Sequence, residues 1–203
     1  MQELVIYLQQ FNGLSPTDLE QIRSKAVPLT LGKGDYLPRR NPEANADAPG
    51  DELVFVCTGV LRAVHVDSQG VEVTEYFIDE GHFVPGTDGS SRRHASPALQ
   101  QALMKTELLV LSTIAVRELS ASIPAWDLLL SRIKTRMEEY RIAGMRPAQA
   151  GDATACYKEF LEKFPQIAAR IPLSYLASYL GITQQSFSRI RQKLAKNAYR
   201  PAR

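Results

Sequence analysis

Apolar residues along the chain change their spacing several times, and each change marks an element. From Leu4 to Ile22 they recur at helical intervals: Leu4, Ile6, Tyr7, Leu8 and Phe11, then Leu19 and Ile22. Ser15 before Pro16 reads as the cap and first residue of a helix, so residues 3–26 are expected to be helical. Between Val27 and Asp79 the runs shorten and turn residues punctuate them: 29–31, 53–57, 59–66 and 71–78, with Gly32-Lys-Gly-Asp and Asp67-Ser-Gln-Gly as turns. Strands of this length and spacing predict a β-sandwich or roll. The polar stretch 41–51 reads as a surface loop, and a last strand pair is expected around Leu103-Met104 and Leu108–Leu111.

Helical spacing returns over 113–146. Thr113 is placed as the cap of a short helix carrying Val116 and Leu119, and a longer helix follows Ile123-Pro124. In it Trp126, Leu130, Ile133, Met137, Tyr140 and Gly144 are separated by steps of 4, 3, 4, 3 and 4, a heptad seam. Such a seam predicts a two-fold homodimer; packing on the chain's own β-domain is the other use of the same stripe. Pro147-Ala-Gln-Ala-Gly-Asp152 breaks the pattern and divides the chain into residues 1–146 and 147–203. A helix over 153–164, with Tyr157, Phe160, Leu161 and Phe164 inward, opens the second unit.

The end of the chain holds the most informative pattern. Pro172 suits a helix start, Leu173, Leu176, Ala177 and Leu180 share one face, and Gly181 can take the left-handed conformation that ends a helix. Thr183 is placed to cap a second helix whose buried stripe is Phe187, Ile190 and Leu194. A small residue, a turn glycine four positions on, and apolar residues six and nine beyond that glycine make a helix-turn-helix pattern. The outward face of the second helix carries Gln184, Gln185, Ser188, Arg189, Gln192 and Lys193. From Thr183 to Arg203 there are six Lys or Arg and no Asp or Glu, which suits phosphate better than a merely solvated surface. Gln and Arg are also the side chains with two-pronged geometry for purine edges. The partner expected is double-stranded DNA.

Composition narrows this further. The chain has 203 residues, 44% of them apolar and 23% charged, and a net charge of only +2, so the local basic tail matters more than the total. No apolar run is long enough for a membrane span and no leader-like segment opens the chain, so a cytoplasmic protein without a membrane partner is expected. Cys57 and Cys156 are far apart and are read as small packing residues, not a disulfide. His65, His82 and His94 show no metal-ligand spacing, and neither a phosphate loop nor a nucleophile elbow is present. The chain is therefore read as no enzyme, with no metal and no cofactor.

Helix, β-roll, long helix, hinge and helix-turn-helix in this order resemble the superfamily of the cyclic-AMP receptor protein and the fumarate–nitrate regulator (Crp/Fnr). The pieces that carry the resemblance are Leu180-Gly-Ile-Thr-Gln-Gln-Ser-Phe-Ser-Arg-Ile, Gly32-Lys-Gly-Asp, Val54-Phe-Val-Cys-Thr-Gly-Val-Leu-Arg and Glu80-Gly-His-Phe. The short tail is similar to that of a Bacteroidetes subgroup without a clear wing hairpin. The resemblance implies an α+β fold: an N-terminal jelly roll of the cyclic-nucleotide-binding type, a long dimerisation helix and a C-terminal all-α helix-turn-helix unit. It also implies a bacterial transcription regulator that binds a near-palindromic operator as a homodimer, with RNA polymerase and an unknown small-molecule effector as further partners. By its pattern Gln185, Ser188 and Arg189 read bases, Gln184 touches phosphate or base, and Thr183, Ser186, Arg191 and Lys193 contact phosphate. In cyclic-nucleotide binders a Glu and an Arg-Ser/Thr pair hold the ligand. Here, after Phe83, Gly86 stands where the Glu belongs and Ser96-Pro97 where the Arg pair belongs, so the pocket is degenerate and cyclic AMP is not expected. Arg92 and Arg93 remain as anion-binding candidates there. The competing reading is a ligand-binding sensor module whose helical tail contacts protein instead of DNA.

Overall fold

The computed structural model describes residues 1–38, 52–84, 99–146 and 152–198, with the side chains of 197 and 198 excepted. The loop expected over 41–51 and the break over 147–151 lie outside the described residues. Two short helices, α1 (Gln2–Leu8) and α2 (Pro16–Lys25), come first. Ser15 and Asp18 form a reciprocal capping box at the start of α2, with Pro16 as its first residue. Among the described residues six strands follow: β1 (Val27–Leu31), β2 (Leu53–Thr58), β3 (Leu61–Val66), β4 (Glu72–Ile78), β5 (Leu99–Ala102) and β6 (Thr106–Leu111). They make two antiparallel three-stranded sheets, ordered β1-β6-β2 and β4-β3-β5. The last strand pair differs from expectation: β5 lies over 99–102, Leu103 and Met104 follow it outside any strand, and β5 and β6 belong to different sheets.

The continuous apolar runs have a structural reason, since several strands are buried on both faces. In β2, Val54 and Val56 point between the sheets with Leu61, Ala63, Tyr76, Ile78 and Leu108. Leu53 and Phe55 point the other way, with Leu109 and Leu111, into a second cluster. That second cluster is roofed by α1, by α3 (Thr113–Ser122) and by α4 (Trp126–Gly144). The cap of α3 is Ser112, whose hydroxyl accepts from the Ala115 N–H at 3.2 Å; Thr113, expected in that role, is the buried first residue.

The long helix α4 corrects the expected seam. Trp126 and Ile133 are each 1% exposed and sit in the cluster roofing the outer sheet, so neither is free to meet a second copy. Leu130 and Met137 pack against the same cluster. Tyr140 packs on the core between the sheets and donates to Asp79 at 2.8 Å. Gly144 lies so close to β4 that an added Cβ would stand 3.3 Å from the Cβ of Tyr76. Trp126 and Ile133 are thus spent on the chain's own roll, while Leu130, only partly buried, also lines the groove on the outward side of the helix. The reason is that Leu53, Phe55, Leu109 and Leu111 need cover, and α4 supplies it.

Four more helices follow among the described residues: α5 (Ala153–Lys163), α6 (Pro165–Arg170), α7 (Leu173–Leu180) and α8 (Gln184–Ala198). The short α6 was not anticipated. Tyr157 and Phe160 of α5 are buried as expected, but Leu161 is 36% exposed, and so is Leu173 of α7 at 42%. The interior of these helices is continuous with the roll: Val60, Phe77 and Leu103 join Cys156, Tyr157, Phe160, Ile167, Leu176, Tyr179 and Phe187 in one cluster. No helix among the described residues is long and apolar enough to cross a membrane.

If Ile133 is core and not seam, Ile133→Ala should lower the unfolding free energy by about 2–5 kcal/mol. Urea unfolding over a dilution series checks this, because the loss should be the same at every protein concentration.

Candidate nucleic-acid interface

The interface is built on the turn between α7 and α8. Gly181 has φ +67° and closes α7, its N–H bonding back to Ser178 O at 3.0 Å while the Ile182 N–H reaches Ala177 O at 3.0 Å. A side chain at 181 would be strained by that φ and would also run into the guanidinium of Arg146, which lies over the turn. Ala177 is 2% exposed, and its small size lets the two helices cross closely. Thr183 caps α8: its hydroxyl accepts from the Ser186 N–H at 3.2 Å and donates to the Ser186 hydroxyl at 3.0 Å. Both hydroxyls assigned to phosphate contact are thus engaged with each other at the helix start.

Phe187 is 1% exposed and meets the Tyr157 ring edge-on at 4.8 Å, while Ile190 and Leu194 pack behind it. With that stripe fixed inward, Gln184, Gln185, Ser186, Ser188, Arg189, Arg191, Gln192 and Lys193 are all exposed. The predicted DNA-facing residues of α8 are thus all left exposed, with Gln185, Ser188 and Arg189 on the side away from Phe187. The N-terminal end of α8 adds the free N–H groups and positive dipole end that favour phosphate. Asp152 caps α5 by accepting from the Thr154 N–H at 2.9 Å. That backbone bond, with Lys193 adding to it, holds the Asp152 carboxyl below its ordinary range.

Of the residues expected around a ligand, only Phe83 is described; Gly86, Arg92, Arg93 and Ser96 lie outside the described residues. Phe83 is 3% exposed, with its ring 5.0 Å from Phe55 and 5.3 Å from Tyr7. It serves the aromatic core between α1 and the roll. Beside it a cleft of about 470 Å³ opens between α1 and α4, with His82, Arg136 and Tyr140 in its wall. His82 stacks on Tyr140 at 3.9 Å and holds Asp79 at 2.9 Å. Burial works against the Asp79 charge, but His82 and the Tyr140 hydroxyl outweigh it and keep the carboxyl below its usual range. Among the described residues no cluster of His, Cys, Asp or Glu suits a metal ion.

Two residues that tie the roll to the C-terminal helices, Arg62 and Glu80, enter the sequence reading only inside family-like motifs. Arg62 of β3 is 3% exposed, with Nε on Gln101 at 2.8 Å, Nη1 on Thr74 at 3.1 Å and Nη2 on Glu72. Its guanidinium lies 4.4 Å from the ring centroid of Tyr175 on α7. Glu80, noted only as part of a family-like motif, takes a two-pronged bond from Arg170 at 2.8 and 2.6 Å. It also accepts from the Gly59 N–H at 2.7 Å.

The comparisons with known proteins agree with this architecture. No family model and no curated protein matches the sequence. Solved structures do match. The c-di-GMP-responsive global regulator CLP of Xanthomonas campestris aligns with 15% identity and a TM-score of 0.65, over 93% of this chain and 96% of its own. A cyclic nucleotide-binding domain containing protein from Listeria monocytogenes aligns with 14% identity and a TM-score of 0.64, over 96% and 89%. A protein from Eubacterium rectale assigned to the Crp/Fnr family of transcriptional regulators aligns with 16% identity and a TM-score of 0.60, over 94% and 88%. At such identities the likeness establishes the fold. This chain has the α+β architecture of Crp/Fnr regulators, a cyclic-nucleotide-binding-type roll followed by a helical C-terminal unit.

Burial alone would raise the Glu80 carboxyl, but Arg170 and the Gly59 N–H outweigh it and hold it below its ordinary value of 4.5. A depressed carboxyl contributes stability that is complete above the ordinary value and is lost as pH falls through the folded one. The Gly59 amide resonance should therefore titrate with a midpoint below 4.5. In Arg170→Gln that midpoint should move up toward the ordinary value, followed by NMR.

Proposed function

We propose that this chain is a DNA-binding transcription regulator that reads a near-palindromic operator as a homodimer. The observation that carries the reading is the face of α8: a helix-turn-helix closed by a left-handed Gly181 presents exposed Gln, Ser, Arg and Lys side chains. After Glu162 the sequence contains no acid at all. Gln185, Ser188 and Arg189 stand where the second helix of such a motif meets base edges, and Arg191 and Lys193 where it meets backbone. Gln offers a donor and an acceptor together, which suits an adenine edge. RNA polymerase and a small-molecule effector are further partners that the reading implies.

The dimer in this reading uses the outward side of α4, not the stripe spent on the roll. Leu128, Ser131, Thr135, Glu138 and Ile142 follow a second heptad, and Leu128 and Ile142 are 59% and 57% exposed. A shallow groove of about 590 Å³ runs along this side. In a parallel pair, flanking positions five residues apart face each other. Asp127 would then meet Arg132 of the second copy, and Lys134 would meet Glu139, both of opposite charge. Parallel pairing about a two-fold places two α8 helices for successive major grooves, about 34 Å apart.

Binding of sheared genomic DNA near physiological salt, with sequencing of what is retained, tests the reading. One enriched near-palindrome supports it; a tail that contacts protein retains none. On that site Arg189→Ala should lose about 1–3 kcal/mol and relax one operator position, while Lys193→Ala should weaken all sequences alike and reduce the salt slope by about 1. Replacing Leu128 and Ile142 together by Asp should convert the sedimenting species to monomer without lowering the melting temperature of the roll.

A further inference from the structure

We propose that the outer face of β4 is a rail that sets the position of the recognition helix, with Tyr175 and Ser178 as positioning residues that make the protein read its half-site spacing strictly. The inference rests on the DNA-binding reading above. It adds a determinant of specificity that touches no base.

Three contacts along β4 carry it. Among the described residues β4 is an edge strand, in the order β4-β3-β5, so one of its sides has no described strand to pair with. At its first turn-side end α7 supplies the missing partner: the Ser178 hydroxyl accepts from the Thr74 N–H at 3.1 Å and lies 3.4 Å from Glu72 O. At the same end Arg62, held flat by Gln101, Thr74 and Glu72, presents its guanidinium to the Tyr175 ring at 4.4 Å. At the middle, the Phe77 ring meets Phe160 at 5.6 Å and Tyr179 at 5.7 Å. Just past the far end, Glu80 holds Arg170.

The polar contacts at Thr74 and Glu80 stand six residues apart along the chain, with the aromatic contact of Phe77 between them. Contacts spread over such a length restrain rotation of the helical unit as well as its distance from the roll. None of them uses the α8 surface: Gln184, Gln185, Ser188 and Arg189 stay exposed while α7 is docked. Docking therefore fixes the reading face without covering it.

The consequence for an operator is geometric. Each base pair inserted between half-sites shifts the second by about 3.4 Å and rotates it by about 34–36°. A pair of reading heads fixed to one dimer axis cannot follow that displacement, and the second head disengages.

The experiment measures binding to the enriched site and to copies with one or two base pairs added or removed at its centre. It compares the wild type, the double variant Tyr175→Leu with Ser178→Ala, and Tyr175→Phe. Both substituted side chains are only partly buried, and unchanged thermal unfolding checks that the fold is kept. The wild type should lose at least about tenfold for one inserted base pair, as bivalent binding becomes effectively monovalent. The double variant should lose less than about threefold for the same insertion. Tyr175→Phe keeps a ring under Arg62 and should reproduce the wild-type profile. A double variant with the wild-type spacing profile would overturn the proposal. So would one that binds the unaltered site more tightly than wild type, since docking would then restrain binding. Spin labels at Ser68 and Gln192 give a second reading in DNA-free protein. A wild type that binds no DNA overturns the DNA-binding reading, and in that case the labels decide the docking. A broader distance distribution in the double variant upholds docking as the positioning contact, and an unchanged one overturns it.

Discussion

Strands that are apolar on both faces cannot stand at a protein surface, and most of this architecture follows from that constraint. β2 and β6 send alternate side chains into the core between the sheets and into the layer under α1, α3 and α4. In β4, Tyr76 and Ile78 go inward while Phe77 goes outward to the aromatic rings of α5 and α7. One sheet is thus roofed by helices that flank it in sequence, the other by helices from the far end of the chain. The burial that holds α7 against the roll also orients the turn in front of α8. Stability and the placement of α8 share the same contacts.

The helix-turn-helix was the most legible part of the chain, because each of its requirements is local. A left-handed glycine, a hydroxyl cap and an apolar stripe are satisfied by residues a few positions apart, and the structure has Gly181, Thr183 and Phe187 in those roles. The β-roll was legible as a class, since short apolar runs between turns have few other uses. Its last strands are the exception: Leu103 and Met104 are apolar not as strand residues but because they pack against the C-terminal helices.

What the sequence could not decide was the identity of partners. Trp126, Leu130, Ile133, Met137 and Tyr140 keep a heptad step, but a step gives only the side of a helix that is apolar, not what lies against it. Here the roll lies against it. The opposite side, with Leu128 and Ile142 separated by small and charged residues, is weaker in hydrophobicity and was passed over. The same limit applied to Arg62 and Glu80. Their partners are more than 85 positions away, at Tyr175 and Arg170, and no local pattern reports such a pairing.

The shared core also bears on the order in which the chain is made. A ribosome releases β4 about a hundred residues before it releases α7. At about 5–20 residues per second the outer face of β4 waits roughly 5–20 s for its cover. Through that interval Val60, Phe77 and Leu103 have no apolar neighbours from α5 to α8, and the edge amide of Thr74 has no Ser178. The nascent roll is then a sticky surface with an open strand edge, the kind that chaperones hold. Crowded or rapid expression should therefore be hardest on this protein before α5 to α8 exist, and the docking of α7 is the event that ends the exposure.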